Sequence, residues 1–509
     1  MLLFVKKTMC VVGGVLWLSI TLLSAQEQKF GKISPEEWAM KTYPLDSNAN
    51  AVVLFDVGKS YFKYHPNEGF KMIFERHTRI KILNKQGYDY ADIQIPLYHN
   101  NSREELLTGL KAETHEMLDG KLVSHKLEKS AIFKEKLTER WGITKFGFPN
   151  VKEGSIIEYT YTIQSDFFLN LRDWTFQRDI PVMWSEYDVV IPEYYYYKRF
   201  FQGYIGFHKN VEENTNGTIT FGAGDPPVNY RATHYLMVAK DVPAFKDEQF
   251  ITTPNDYLSK IYFQLASIMY PNRPVEDLSN SWEKIAANLR EDPDFGGQLK
   301  KKGLVAETVA LVTAGAASPE EKAAKIYSFI QNTVKWDEIN SYYSIKGIRK
   351  TLDEKTGNSG DINLLLINML READIQADPV ILGTRRSGRL LSFYPSEEKV
   401  NYVVALVKLG EKYIFLDAVD DLTPFGMLPY KCLSGEGYLI KDDAQQWISL
   451  DGGKESNHTC NLVLTMDENG KIQGDMQHMD KGYLQHTYQA ANPVGWQGKI
   501  CERGFCRRC

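Results

Sequence analysis

The chain has 509 residues, a formal net charge of −5, 43% hydrophobic and 25% charged residues. That length calls for more than one domain with sizeable cores, in a composition ordinary for globular proteins. No basic stripe is present, which argues against a nucleic-acid partner and against polybasic adhesion to a membrane.

The first 25 residues read as a leader. Lys6 and Lys7 precede an apolar run from Met9 to Leu23, which ends in Leu23-Ser24-Ala25 before a polar Gln26. A basic flank, a short apolar centre and small residues at the end make a secretory signal peptide. The run is shorter than the ~20 residues of a spanning helix; an uncleaved anchor is the competing reading. Cys10 lies inside the run, which speaks against lipid attachment. The mature chain is therefore expected in the periplasm or outside the cell, with no stable membrane insertion after cleavage.

Residues 26–245 carry a β pattern and predict an antiparallel β-sandwich. Ser155 to Ile163 alternates, with Ile157, Tyr159, Tyr161 and Ile163 on one side and Glu158, Thr160 and Thr162 on the other, the period of a half-buried strand. Arg79-Ile80-Lys81-Ile82 and Tyr187 to Ile191 read likewise. Turn signals recur at residues 84–87, Asp119-Gly120, 152–154 and Asn216-Gly217, as in a sandwich of many short strands. The aromatic run from Phe167 through Trp174, Trp184 and Tyr194–Tyr197 to Phe201 could form a ligand platform. Tyr and Phe also fill strand cores, and core packing is the preferred reading, with part of the tyrosine run exposed.

Residues 246–300 are expected to form a helical linker, and residues 301–450 an α+β core. Ser318-Pro319-Glu320-Glu321 is a helix start, with Ser as N-cap, Pro in the first turn and acids at the positive end of the dipole. Ala323, Ile326, Tyr327 and Ile330 follow at helical spacing. A second helix should begin at Ser359, which would serve as its N-cap, and bury Ile362, Leu365, Leu366, Met369, Leu370 and Ala373. Strands follow at 380–385, 401–409, 413–418 and near 437–440.

Residues 451–509 give an incomplete β segment, with Asn469-Gly470 as a hairpin turn. Only two or three strands follow, and a two-stranded hairpin is marginal alone, so they should pad the core or belong to an incomplete third domain. The chain ends in CERGFCRRC. No histidine follows His486, so a metal knuckle lacks its fourth ligand; an aberrant or truncated end is the preferred reading, and no metal or cofactor is expected.

The segment Gly357-Asn358-Ser359-Gly360-Asp361 opening an apolar helix, then Asn401-Tyr402 and Asp417 on following strands, resembles the transglutaminase-like superfamily, relatives of papain-type proteases. Phe245 to Tyr257, Lys145 to Tyr159 and Leu416 to Pro429 extend the likeness, and the sandwich resembles a domain of unknown function that precedes such cores in secreted bacterial proteins. The resemblance implies a Gly-x-Cys-x-Asp/Glu motif, a histidine after an asparagine, and an aspartate. Here Ser359 stands for the cysteine, Tyr402 for the histidine, and Asp417 is kept.

Those departures weigh on catalysis. A thiol near pKa ~8.5 becomes a thiolate at a helix N-terminus beside histidine, whereas serine depends wholly on its base. Tyrosine, with pKa ~10, is protonated at neutral pH. No histidine lies between His234 and His458. The preferred reading is a non-catalytic envelope protein that binds a peptide, polysaccharide or envelope protein. Ser359, Tyr402 and Asp417 would fill the triad positions without turnover, Asp417 bonding the Tyr402 hydroxyl, while Asn358, Asp361 and Asn401 line the binding cleft. The alternative is a hydrolase or acyltransferase on amide bonds, with Ser359 as nucleophile and a base supplied from outside the core.

Overall fold

The computed structural model describes residues 28–483 apart from residues 67, 101, 137–140, 169, 221–223, 249–250, 442–445 and 452–455. The expected leader and the cysteine-rich ending lie outside the described residues.

The first part is a β-sandwich. One layer is an eight-stranded sheet in the order Lys209–Ile219, Val228–Val242, Val182–Pro192, Ala51–His65, Gly69–Ile82, Ile156–Ser165, Leu106–Leu118, Lys121–Lys126. It is antiparallel except at its centre, where Val53 to Tyr61 runs parallel to Val182 to Val190. The second layer is split into two smaller sheets. One pairs Tyr195–Gln202, Lys260–Ile268 and Glu276–Asp277, with Asn170–Thr175 on the same middle strand; the other pairs Asp92–Tyr98, Trp141–Gly147 and Ile132–Lys136. Ile157, Tyr159, Tyr161 and Ile163 point into the shared core with Trp174, Phe176 and Phe263, as their alternation predicts. Of the four consecutive tyrosines, Tyr194, Tyr195 and Tyr197 are buried and Tyr196 is 55% exposed.

Three expectations need correction here. The linker at 246–300 is helical only from Trp282–Glu291 onward, because Lys260–Ile268 is a strand paired with Tyr195–Gln202 and completes the sandwich. Asn216-Gly217 makes no turn but sits inside Lys209–Ile219, where a Cβ on Gly217 would come within 2.1 Å of the Tyr230 ring; that glycine makes room for a cross-strand aromatic. The polar side of Arg79-Ile80-Lys81-Ile82 is not solvated, for Arg79 is 3% and Lys81 2% exposed.

The reason for that burial is the segment from residue 28 to 46, which crosses this face. Lys81 Nζ donates to the carbonyls of Trp38 and Gly154 at 3.3 and 2.8 Å. Arg79 pairs with Glu37 and Glu158, each at 2.9 Å. Glu158 also meets His77 Nε2 at 2.7 Å and His115 Nε2 at 3.3 Å, and accepts from the Gly31 amide at 2.9 Å. Ser34 caps the short helix Pro35–Ala39, with Glu37 completing a capping box. Buried charge costs several kcal/mol unless paired, so the strap and the sheet stabilise each other.

The second part is the α+β core. Ser318 caps Pro319–Thr333, accepting from the Glu321 amide, and Ala323, Ile326, Tyr327 and Ile330 are buried as spaced. The five-stranded sheet runs Lys412–Leu416, Tyr402–Leu409, Ala377–Leu382, Glu436–Leu439, Trp447–Ser449. Between this sheet and the helices Ala306–Thr313, Pro319–Thr333 and Ile348–Glu354 lies Ser359–Glu372. Ser359 through Leu370 are all buried, so the expected one-sided stripe is a helix enclosed on every side. Each fully buried Leu, Ile or Met contributes about 1.5–3 kcal/mol, which makes this helix the main anchor of the domain.

Among the described residues the strands Asn457–Met466 and Ile472–Lys481 pair only with each other, through a turn at Gly470 with φ 75°. Asn457–Met466 is exposed throughout. The hairpin therefore does not pad the core among the described residues, and Leu462, Leu464, Met466, Ile472 and Met476 share one exposed face.

Candidate functional site

Asn358, not Ser359, is the N-cap of the buried helix. Its side chain accepts from the Asp361 amide at 2.7 Å, and Asp361 Oδ2 accepts from the Asn358 amide at 3.0 Å. A capping box satisfies two orphan donors at once, which places Ser359 at the first helical position. A Cβ on Gly360 would come within 2.3 Å of the Tyr343 carbonyl; the glycine lets residues 339–347 lie directly on the helix start.

That segment closes over Ser359. The Ser359 hydroxyl donates to the Ser341 carbonyl and accepts from the Ser341 amide, both at 2.8 Å, while its own amide donates to the Ile339 carbonyl at 3.1 Å. Asp361 Oδ1 holds the same segment from below, accepting from the Ser344 hydroxyl at 2.6 Å and the Lys346 amide at 3.2 Å. Above it, Tyr342 and Tyr343 donate to Glu397 at 2.9 and 3.3 Å. Ser359 is 0% exposed. A nucleophile needs an accessible oxygen and a neighbouring base; this buried hydroxyl spends its one donor and one of its two lone pairs on the main chain of Ser341.

Tyr402 and Asp417 do meet. The phenol donates to Asp417 Oδ2 at 2.9 Å, and Asp417 Oδ1 accepts from Asn363 Nδ2 at 3.1 Å and the Val419 amide at 3.0 Å. Asn363 also donates to the Val403 carbonyl at 2.8 Å and accepts from the Ala418 amide at 3.1 Å, tying the helix to two strands. Cys432 adds its thiol 3.8 Å from Asp417 Oδ2. Burial, then the Asp417 charge, push the Tyr402 hydroxyl well above its ordinary range, so it stays a neutral donor. The same two causes push the Cys432 thiol up, the opposite of what a reactive thiolate requires.

Of the predicted site residues, Tyr402 and Asp417 are thus brought together, and Ser359 is hydrogen-bonded elsewhere. Asn358 and Asp361 are engaged in capping and clamping. Asn401 pairs with Thr384, its Oδ1 accepting from the amide at 2.8 Å and its Nδ2 donating to the hydroxyl at 2.9 Å. Asp361 and Asn401 have their polar atoms engaged, whereas Asn358 Nδ2 is buried with no hydrogen-bond partner among the described residues. Asn363, Ser341 and Cys432 are not singled out in the sequence as site residues; the usable signal is the pair of asparagines, Asn363 and Asn368, within an otherwise apolar helical run.

The accessible surface nearby is an open cleft of about 490 Å³, lined among others by Trp336, Val419, Asp420, Pro429, Tyr430 and Lys431. Lys431 Nζ lies 4.4 Å from the Trp336 ring centre and 4.6 Å from that of Tyr402. Such cation–π contacts are worth about 0.5–2 kcal/mol, and they seat an ammonium between the cleft and the Tyr402–Asp417 pair. No cluster of His, Cys, Asp or Glu suited to a metal occurs among the described residues.

A buried helix packed on an antiparallel sheet thus forms an α+β core that follows a β-sandwich in the chain. The sequence profile of the transglutaminase-like superfamily matches residues 306–418, and that of a domain of unknown function (DUF3857) matches residues 70–229. The chain therefore carries a transglutaminase-like domain preceded by that region. Among solved structures it is similar to a candidate protease from Parabacteroides distasonis ATCC 8503, with 15% identity over 79% of this chain and 71% of that one and a TM-score of 0.52. A candidate cysteine protease from Cytophaga hutchinsonii shares 11% identity over 58% of this chain and 88% of that one, with a TM-score of 0.21. The first likeness is one of fold. No curated protein matches the chain.

Proposed function

We propose that this is an exported, non-catalytic transglutaminase-like protein of the bacterial cell envelope that binds an extended peptide or polysaccharide, or a partner protein presenting one. The observation that carries this reading is the Ser359 hydroxyl, fully buried and bonded twice to the Ser341 main chain. With Tyr402 a neutral donor to Asp417, no group among the described residues is placed to take a proton from Ser359. The cleft beside Trp336 and Tyr430 remains, with aromatic walls and charges of both signs, Lys335 and Lys431 against Asp420 and Asp421. These features suit recognition of a chain with mixed polar and apolar groups.

The purified mature protein should hydrolyse no peptide amide and transfer no acyl group. A peptide or oligosaccharide found by array screening should bind Ser359→Ala as tightly as the parent, and bind Tyr430→Ala more weakly. Turnover that is lost in Ser359→Ala would overturn the reading.

A further inference from the structure

The second layer of the sandwich is split, and the split exposes the floor of the eight-stranded sheet. Between Asp92–Tyr98 and Asn170–Thr175 runs a groove of about 330 Å³, lined by Asp92, Gln94, Asp173 and Thr175 at the sides and by Arg76, Tyr159 and Arg178 below. Its floor is built rather than incidental. Asp56, 1% exposed, accepts from Arg76 Nε at 2.9 Å and Arg76 Nη2 at 2.6 Å, from the Thr78 hydroxyl at 2.7 Å, and from Arg178 Nη2. Burial pushes the Asp56 carboxyl up, but the guanidinium charges of Arg178 and Arg76 outweigh it and hold the group well below the usual range. The Arg76 guanidinium sits over Trp174, 4.9 Å from the ring centre. Trp174 is fixed in turn by its bond to the Ser185 hydroxyl at 3.1 Å, and by Gly58, where a Cβ would fall 2.3 Å from the ring.

Two guanidinium groups thus share one carboxylate, and both keep contact with the groove, their side chains 25% and 21% exposed. The surplus is one positive charge; the Nε–Nη2 edge of Arg76 is spent on Asp56, so a ligand would meet the remaining guanidinium N–H groups, donors suited to a carboxylate. At the side stands Asp92, whose carboxylate makes no ion pair with a described residue. Asp173 also lines the groove, but its carboxyl lies among Glu398, Lys260 and Lys399, and the two ammonium groups offset it. The groove therefore balances, with the two arginines against Asp56 and Asp92. A dianion would meet Asp92 in repulsion, whereas a small ligand with one anionic and one cationic end would satisfy both walls.

We propose that this groove is a binding site for a zwitterionic amino acid or dipeptide, its carboxylate on Arg76 and Arg178 and its ammonium on Asp92. The site belongs to the sandwich and stands independently of the reading of Ser359.

The test is titration calorimetry on the mature full-length chain with alanyl-alanine, its C-terminal amide, its N-acetyl form and inorganic phosphate. Alanyl-alanine should bind saturably, and the amide and the N-acetyl form should each bind at least tenfold more weakly. Asp92→Asn should weaken alanyl-alanine about tenfold while leaving the N-acetyl form unchanged. Arg178→Lys, with circular dichroism as the folding control, should weaken both. If that variant does not fold, the comparison of dipeptide with amide on the parent chain carries the same decision. Phosphate binding tighter than the dipeptide, equal binding of the amide, or no saturable heat would each overturn the proposal.

Discussion

Replacing Tyr402 with phenylalanine removes one oxygen from a fully enclosed place and nothing else. The ring is 0% exposed and keeps its packing, so no cavity term enters. What is lost is the 2.9 Å bond to Asp417 Oδ2, leaving that oxygen only the weak thiol donor of Cys432 at 3.8 Å. Hydrogen bonds to charged groups contribute about 1.5–3 kcal/mol net, and an unsatisfied buried acceptor costs a similar amount, so Tyr402→Phe should destabilise the core by about 2 kcal/mol. Asp417→Asn should also destabilise, but Tyr402→Phe added to it should cost far less than in the parent. The two changes should couple by about 1 kcal/mol or more in a double-mutant cycle. Urea unfolding followed by tryptophan fluorescence reads this as a shift in midpoint at constant slope. Additive effects, or Tyr402→Phe within 0.5 kcal/mol of the parent, would mean that the phenol–carboxylate pair does not hold this site together.

Gly360→Ala should be severely destabilising, beyond the ~1–3 kcal/mol of ordinary overpacking, because the clash at 2.3 Å is with main-chain oxygen; poor expression and a lowered thermal midpoint would show it. Asn358→Ala removes the cap and should cost about 1 kcal/mol, measurable by the same unfolding curves. Glu158 gives a pH signature. Burial raises its pKa, but hydrogen bonds to His115 and His77, then the Arg79 charge, bring it down to about 2 from 4.5. A lowered folded value means the stabilisation, about 3 kcal/mol, is complete above pH 4.5 and fades as pH falls towards 2. Glu158→Gln should flatten the dependence of the thermal midpoint on pH across that window, and an unchanged slope would count against the strap network.

Much of this architecture was legible from local pattern. The Ser318 cap, the stripe from Ala323 to Ile330, the alternation of Ile157 to Ile163 and the contact between Asp417 and Tyr402 all follow from residues near each other in sequence or placed by resemblance. What escaped notice depends on distant segments. Arg79 and Lys81 look solvated until the chain from residue 28 to 46 is laid across them. Ser359 looks like an N-cap and an exposed nucleophile until residues 339–347 fold over it and Asn358 takes the cap. Cys432 joined Asp417 across fifteen residues of irregular chain that no periodicity could place.

The central claim is that Ser359 is a structural serine. A fluorophosphonate probe on the native mature protein, read by intact mass and peptide mapping, tests it most directly. No adduct at Ser359 is expected at neutral pH, because the hydroxyl is enclosed and no base among the described residues bonds to it. Stoichiometric labelling of Ser359, blocked by prior unfolding, would contradict it.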